Sequence, residues 1–541
     1  DTGVLLVRTD QITEQADQFL VTGTASLSGA VRAVLYNPAL AKPGLFSTPF
    51  LTATGGLTTS NLSVLGDTAI LDYGVNSTGS GPGSGLVLST TIDFTPFGLS
   101  ARGLAIGELV GIIQTRGSSA LFQTIVPALL DVVAVSDLDD AYDSVAGGAI
   151  SLVPQATLGA AASAMGAVTR QIDRWRTEPR AASPAPLATA AGSGAGATDT
   201  ALARSFWATP MGNATSGGLI SGQSYGGTIG LDGELPNLPL MLGGAVNLSE
   251  TSLSADRYGA STATTYGGLS LYGLYEAGPA YLSAIATLGY GHSTFDRNLY
   301  GLGLNLATSA GFDGTVLGGR IEAGYTLPIP GTVASLTPFL AFQPMQLWQG
   351  SATESFGTLG NGLTYDATSI TALPTYLGLQ LDGTVAGPGG LKMATFLRAA
   401  WMHDFSPDRE VPRSFAELPN WSFANTPLAT VTDAADLHAG LQFSTSPNLS
   451  FAEHRRRQRH LAHHLVRRTR VMALSRPLRR GRGPCFRARI FSEKARVRRR
   501  RLRPNGSPSR APTEGGAPLS PRPCTQSEDR QKKLTRETRY A

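Results

Sequence analysis

Residues 204–451 alternate between apolar and small or polar side chains over long stretches, and a period of two predicts β-strands. In residues 315–327, for example, one parity holds Leu317 and Ile321, and the other holds Arg320 and Glu322. Many of these segments reach nine to thirteen residues, whereas strands average about five or six residues. We predict eleven strands, near residues 206–212, 225–232, 240–250, 265–276, 281–295, 315–327, 334–347, 373–384, 391–402, 413–428 and 436–444.

Alternation alone does not tell which face is buried, because soluble barrels keep apolar residues inside and outer-membrane barrels turn them toward lipid. Residues 204–451 carry only 8 basic and 17 acidic residues, too few for a water-facing surface of that size. Tilted strands of ~9–11 residues can cross a bilayer. Tyr325, Trp348 and Trp401 stand near strand ends, as in aromatic girdles. We therefore predict a mainly β fold with a transmembrane antiparallel barrel, whose outward residues include Leu317, Ile321, Ala323, Leu377, Leu379 and Leu381.

A sheet in lipid must close, because an open edge leaves backbone groups without partners, and bacterial barrels close with an even number of strands. Eleven strands are one short of twelve. Leu449–Phe451 begins a twelfth strand, which a change of composition interrupts. Residues 1–451 hold 17 basic and 33 acidic residues and no cysteine, whereas residues 452–541 hold 27 and 6 and both cysteines. We expect residues 452–541 to be a disordered, Arg-rich tail from a shifted reading frame, so that the last strand is missing.

The first part of the chain has a different pattern. Residues 1–100 contain short β segments punctuated by Gly, Ser, Asn and Thr, which indicate a β-sandwich or a solenoid. Helical spacing begins at about residue 101, and Asp137–Asp140 places acidic residues at a helix start. An alanine-rich helix is predicted over residues 155–176, followed by an Ala/Ser/Pro/Gly linker. No apolar run approaches the ~18 residues of a transmembrane helix, which excludes a helical membrane protein.

Five polar residues share the inward parity of the predicted barrel. Unpaired charge on the lipid side costs ~2–4 kcal/mol near the bilayer midplane, so we place them in the lumen. There they can pair with one another or with Arg170, Asp173 and Arg174 of the predicted helix. We favour a structural ion-pair network over acid–base catalysis. The pore-lining candidates are Arg320, Glu322, Gln380, Asp382 and Arg398. Added charge should be tolerated at Gln380 and should be disruptive at Leu379.

Other chemical signals in the sequence are weak. Residues 222–226 match G-x-S-x-G, but about one chance match is expected, and a nucleophile elbow needs a strand-to-helix turn. Four of the seven histidines lie among arginines after residue 452, without placed carboxylate or cysteine ligands. The basic tail could bind nucleic acid or anionic lipid, yet the acidic majority argues against a nucleic-acid partner. We predict no catalytic residue, no metal and no cofactor.

The order of these parts resembles the C-terminal half of a type V autotransporter. Residues 16–29, ADQFLVTGTASLSG, look like the repeat that ends many β-helical passengers, and residues 205–212, SFWATPMG, look like a barrel's opening strand. The resemblance implies these domains: 1–100, the end of a β-helical passenger; 101–180, a helical junction and pore-threading linker helix; 181–203, a flexible linker; 204–451, a β-barrel of about twelve strands; and 452–541, the tail. Family barrels end on an alternating strand with a terminal aromatic residue, and this chain departs from that pattern after Phe451.

The same resemblance implies a function. The barrel would lie in the Gram-negative outer membrane, with the N-terminal part at the cell surface, and would help to translocate and anchor its own passenger. Its partners would be outer-membrane lipid, the barrel assembly machinery and that passenger. The alternative function is a passenger-borne adhesin or hydrolase activity encoded before Asp1. Because the sequence begins with Asp1 and not Met, we expect a processed or partial chain.

Overall fold

A computed structural model of the chain describes residues 3–177 and 203–475, with gaps inside the second range. The predicted linker over 181–203, apart from Ala203, and all residues after 475 lie outside the described residues. The gaps are residue 218 and residues 236–237, 300–301, 387–391, 425–427, 429–430, 447–448 and 461–465.

The N-terminal β segments form two four-stranded sheets that are partly parallel. Leu5, Val31 and Val64 stand in register on three consecutive parallel strands. Such stacking of parallel rungs is the geometry of a solenoid. The first sheet contains Val4–Asp10, Gln15–Ala16, Thr24–Leu35 and Gly56–Leu65, and the second contains Phe19–Val21, Gly44–Ala53, Leu71–Ser77 and Ser84–Ile92.

Four helices follow: α1 (Ala101–Thr115), α2 (Ala120–Leu130), α3 (Val135–Val145) and α4 (Leu152–Thr177). The side chains of Ser100 and Ser119 cap α1 and α2 by accepting hydrogen bonds from backbone N–H groups in the first turn. Among the described helices, none combines the length and the hydropathy needed to span a membrane.

An ion pair joins two of these helices. Arg102 on α1 lies 2.8 Å from the carboxylate of Asp143 on α3. Burial raises the pKa of Asp143, and the hydrogen bond from Arg102 opposes this shift. A half-buried ion pair therefore helps to hold α1 against α3.

Residues 203–475 form a closed antiparallel barrel, in which the last strand pairs with the first. The seventh and eighth strands are each divided into three segments. The twelve strands are Ala203–Gly217, Ile220–Glu234, Leu240–Ala255, Ala260–Ala277, Ala280–Asn298, Ala307–Tyr325, Ala334–Phe342 with Met345–Gln349 and Ala352–Ser355, Asn361–Tyr365 with Thr368–Ala372 and Pro374–Ala386, Lys392–Asp404, Asp433–Ser446, Leu449–His460 and Val466–Ser475. Two further short strands are Leu327–Pro328 and Arg413–Phe415.

The structure changes two expectations about these strands. The predicted strand over 413–428 does not cross the barrel wall: among the described residues of this range only Arg413–Phe415 forms a strand, and it lies in a long connection. The barrel also has its twelfth strand: Leu449–His460, the eleventh, and Val466–Ser475, the twelfth, continue the sheet into the predicted tail of 452–541. Pairing between strands uses backbone groups that nearly every residue carries, so it does not require alternating side chains.

The outer face of the barrel is apolar, which confirms the predicted orientation of the strands. Leu317, Ile321, Leu377, Leu379 and Leu381 expose 51, 57, 59, 51 and 41% of their surface, and Ala323 is also exposed. Aromatic residues border this band at both ends. Those at one end are Tyr225, Tyr290, Trp348 and Trp401, and those at the other are Tyr275 and Tyr325.

The spacing of the two aromatic borders fits a bilayer. Tyr290 pairs with Thr315, and ten residues lead from Thr315 along the same strand to Tyr325. At about 3.3 Å per residue and a tilt of about 40°, this is roughly 25 Å, the height of the apolar band in outer-membrane barrels.

The two ends of the barrel differ in their connections. The turns after Glu234, Ala277 and Tyr325 lie at one end, which we call the short-turn end. The connection over residues 405–432 lies at the other end, which we call the long-loop end. At the long-loop end, Arg257 pairs with Asp140 of α3 at 2.6 Å. The N-terminal helices therefore contact the barrel at the long-loop end.

Candidate functional site

Helix α4 lies inside the barrel, against one side of its wall. Glycines on the wall make room for it: a Cβ built on Gly291 would lie 3.0 Å from Thr157 of α4, and one on Gly318 would lie 3.2 Å from Met165. The facing helix positions are also small. Ala160, Ala161 and Ala164 are at most 2% exposed. Small residues on both surfaces thus allow the helix to approach the third to sixth strands closely.

The structure brings the five predicted pore-lining residues into one buried network. Glu322 accepts 2.6 Å hydrogen bonds from Arg320 and Arg398. Arg398 also donates to the side-chain oxygen of Gln380 at 3.0 Å, and Gln380 donates to Asp382 at 3.0 Å. The members come from the sixth, eighth and ninth strands. Both guanidinium groups therefore have a carboxylate partner inside the lumen.

The C-terminal half of α4 joins this network. Asp173, one of the predicted helix residues, lies 3.5 Å from Arg398 and 3.3 Å from Arg176. The Arg176 guanidinium lies 3.4 Å from the centre of the Tyr281 ring and donates to Thr326 at 3.1 Å. The helix end is thus held to the wall at the short-turn end.

The other two predicted helix residues take different positions. Arg174 is 8% exposed and donates to Gln171 one turn earlier on α4 at 3.1 Å. Arg170 faces a gap between the helix and the wall. This gap has a volume of about 90 Å³, and its lining includes Arg320, Arg398 and Asp436. The helix therefore does not fill the lumen.

Sequence reasoning missed several members of the site. Tyr281 donates to Glu322 at 2.8 Å. The ring nitrogen of Trp207 donates to Tyr272 at 2.7 Å, and Tyr272 donates to Asp232, which also accepts from Gln171 of α4 at 2.9 Å. Asp232 has the inward parity of its strand, so strand parity was the signal that could have identified it.

The geometry is one of packing and charge pairing. Ser224 of the G-x-S-x-G match lies within Ile220–Glu234, paired on both sides, and not at a strand-to-helix turn. Within the described ranges, no group of three or more His, Cys, Asp or Glu side chains could hold a metal ion. His463 and His464 lie outside the described residues. What this site can do is hold a helix in the lumen.

Residues 206–452 match the family described as Autotransporter beta-domain. The match thus runs from the first strand to the point where the Arg-rich composition begins. No curated protein matches the chain.

Solved structures show similar barrels at low identity. The translocator domain of autotransporter NalP from Neisseria meningitidis is 14% identical, with a TM-score of 0.40, over 51% of this chain and 88% of that one. The beta domain of the Bordetella autotransporter Brka is 13% identical, with a TM-score of 0.37, over 51% and 99%. The transport unit of AIDA-I from Escherichia coli is 14% identical, with a TM-score of 0.33, over 51% and 90%.

Proposed function

Residues 206–452 are an autotransporter β-domain, and from this premise we propose that the chain is an outer-membrane translocator and anchor for its own N-terminal part. Barrels of this family are outer-membrane translocators. In more detail, we propose that residues 3–145 are the passenger that this barrel carries outward, or the C-terminal end of that passenger. Outer-membrane lipid and the barrel assembly machinery are its proposed partners.

The path of α4 is the observation that carries this proposal. The helix begins near the long-loop end, where Ser144 accepts a 2.7 Å hydrogen bond from Arg297. It ends beside Thr326 at the short-turn end, where the first barrel strand also begins, at Ala203 paired with Glu234. The N-terminal part thus contacts the end opposite to the one where the barrel starts. A chain that passes through the pore has this topology.

The difference between the two ends supports an orientation. Outer-membrane barrels have short periplasmic turns and longer extracellular loops. We therefore assign the short-turn end to the periplasm and the long-loop end to the cell surface. The N-terminal part is then extracellular, as the resemblance implies.

Site-specific labelling of intact cells tests the proposal. In a background in which Cys485 and Cys524 are replaced by serine, one variant carries Leu20→Cys and the other Val333→Cys. The two native side chains are equally exposed, at 73 and 74%. A membrane-impermeant maleimide should label residue 20 in intact cells and residue 333 only after the outer membrane is permeabilised. Labelling of residue 333 in intact cells, or protection of residue 20, would contradict the orientation.

A conductance measurement tests whether the helix occupies the pore. Deletion of residues 152–177 should raise the single-channel conductance of the barrel in a planar bilayer, because the lumen loses the helix that packs against Gly291 and Gly318. An unchanged conductance would place the helix outside the pore.

A further inference from the structure

The connection between the ninth and tenth strands folds inward across the mouth of the barrel. Within it, residues 405–424, here the lid segment, carry five almost fully buried side chains. Its strand Arg413–Phe415 pairs with Asn361–Tyr365 of the eighth strand. The buried residues are Val411, Arg413, Ser414, Phe415 and Leu418, at 0, 1, 3, 2 and 1% exposed. An extracellular loop that only faced water would not bury such residues.

The lid segment contacts the N-cap of α2. Ser119 donates from its hydroxyl to the carboxylate of Glu417 at 2.5 Å, and the same hydroxyl accepts from the backbone N–H of Phe122. The Phe415 and Phe122 rings pack edge to face with centroids 5.3 Å apart. Both contacts depend on α2 being folded, because the capping hydrogen bond holds Ser119 and Phe122 together in the first turn of the helix.

A second set of contacts holds the turn between α3 and α4. Arg413 donates to the backbone oxygen of Ala146 at 2.5 Å, and Arg297 donates to that of Ser144 at 2.7 Å. These carbonyls lie at the end of α3, where helix oxygens lack partners within the helix. Gly147 has a φ of +67°, and a Cβ there would lie 2.8 Å from Leu363. The turn thus packs tightly against the barrel mouth.

Glu354 on the barrel wall orients Arg297. Glu354 is fully buried and accepts two 2.6 Å hydrogen bonds from Arg297 and one of 2.6 Å from Tyr365. Burial lowers the pKa of Arg413 to about 10, so that its guanidinium still carries a charge at neutral pH. Two charged donors, one on the wall and one on the lid segment, therefore converge on the end of α3.

We infer that residues 405–424 are a lid that closes the surface end of the pore after secretion and binds the folded helices α2 and α3. The inference rests on the proposed function. An extended chain in transit presents no helix N-cap and does not hold the carbonyls of Ser144 and Ala146 together at a helix end, so it does not offer this segment the same set of contacts. The lid in its closed position would also obstruct the mouth. Closure must therefore follow the folding of the helices.

The first test measures leakage through the mouth in the full chain. Arg413→Met and Glu417→Gln should each raise the frequency of channel openings in planar bilayers at least several-fold while α4 is retained. Arg257→Met is the control for the first variant, because Arg257 also pairs with α3 but is 53% exposed and lies outside the lid. Glu410→Gln, at an exposed position of the lid segment, is the control for the second. Opening frequencies equal to those of the parent chain would overturn the lid.

The second test follows the time of closure and does not depend on disrupting the lid. In the cysteine-free background, Ser119→Cys with Glu417→Cys is treated with a short bifunctional thiosulfonate during a pulse–chase experiment. The cross-link should appear only after the N-terminal part becomes accessible to external protease, and Ser119→Cys with Glu410→Cys should give little. A cross-link formed before surface exposure would overturn the inference. If residue 20 labels from outside and α4 deletion raises conductance while both lid tests fail, the lid alone is wrong.

Discussion

Glu322 on the sixth barrel strand accepts a 2.6 Å hydrogen bond from Arg398 on the ninth, so that one buried carboxylate links strands separated by two others. Arg320 and Tyr281 donate to the same carboxylate. Arg398 extends the link to Asp173 of α4. The network therefore couples the fifth, sixth, eighth and ninth strands to the helix in the lumen.

Removing the central charge should destabilise the barrel. In Glu322→Gln, two buried guanidinium groups lose the carboxylate that compensates them, and loss of one partner of a buried ion pair costs about 3–5 kcal/mol. We expect a loss of this size in the unfolding free energy measured by urea titration in lipid. Asp256→Asn, at an exposed position of the long-loop end, should change it by less than about 0.5 kcal/mol. Equal effects of the two substitutions would show that the network does not contribute to the unfolding free energy of the barrel.

Two neighbouring glycines provide a matched test of the position of α4 against the barrel wall. Gly318 faces Met165 of α4, whereas a Cβ on Gly319 would meet only the backbone oxygen of Ile285, at 3.6 Å. Gly318→Phe should displace α4 from the wall and raise the single-channel conductance, and Gly319→Phe should leave the conductance unchanged because its ring points to lipid. A higher conductance for both variants, or for neither, would contradict this position of the helix.

The outward face can be tested with an added charge. Leu379→Arg should weaken insertion by about 2–4 kcal/mol if the residue lies near the bilayer midplane, and by less toward an interface. Ser309→Arg places the same charge on the same face near the long-loop end, and we expect it to be tolerated. The heat-induced mobility shift on gels reports the fraction of folded barrel. Equal losses for the two variants would be inconsistent with the apolar band.

The structure changes the effect that we expect from an added charge at Gln380. Gln380 is inward, as its parity predicts, but it is 2% exposed and hydrogen-bonded to both Arg398 and Asp382. An arginine at this position would lie beside Arg398, its partner across the two strands. We now expect Gln380→Arg to be destabilising. Parity thus tells which face a residue occupies, but not whether the lumen has space there.

The barrel strands were predictable because one chemical contrast, lipid outside and polar groups inside, is repeated at every second residue. The same contrast identified Arg320, Glu322 and Arg398 as lumenal. Their specific partners were not predictable, because Tyr281 and Asp173 reach the network through tertiary contacts between distant segments. The prediction of a strand over 413–428 was wrong for a related reason. The buried residues of this segment face α2 and the barrel mouth, a core that sequence periodicity does not distinguish from a strand.

The closing strand gives a further prediction, and a pair of truncations tests it. Val466–Ser475 pairs with Ala203–Gly217 and so closes the barrel. Truncation after Ser475 should leave a barrel that shows the heat-induced mobility shift. Truncation after His460 should abolish the shift, because it removes the partner of the first strand and leaves two edges unpaired in lipid, at several kcal/mol for each unsatisfied backbone group. If the shorter chain folds as well as the longer one, Val466–Ser475 does not close the barrel.

The origin of this strand can be settled separately at the level of the gene. The family match ends at residue 452. Of the 90 residues after Phe451, 24 are Arg. Codons for Arg, Pro, Gly and Ala are rich in G and C, so a GC-rich gene read out of frame produces this composition. We expect another frame downstream of codon 451 to encode an alternating strand that ends in an aromatic residue. Restoring that frame should raise the unfolding temperature of the barrel, because alternating side chains would then meet lipid and lumen correctly. If no frame encodes such a strand, the shift did not occur and the basic extension is native to this chain.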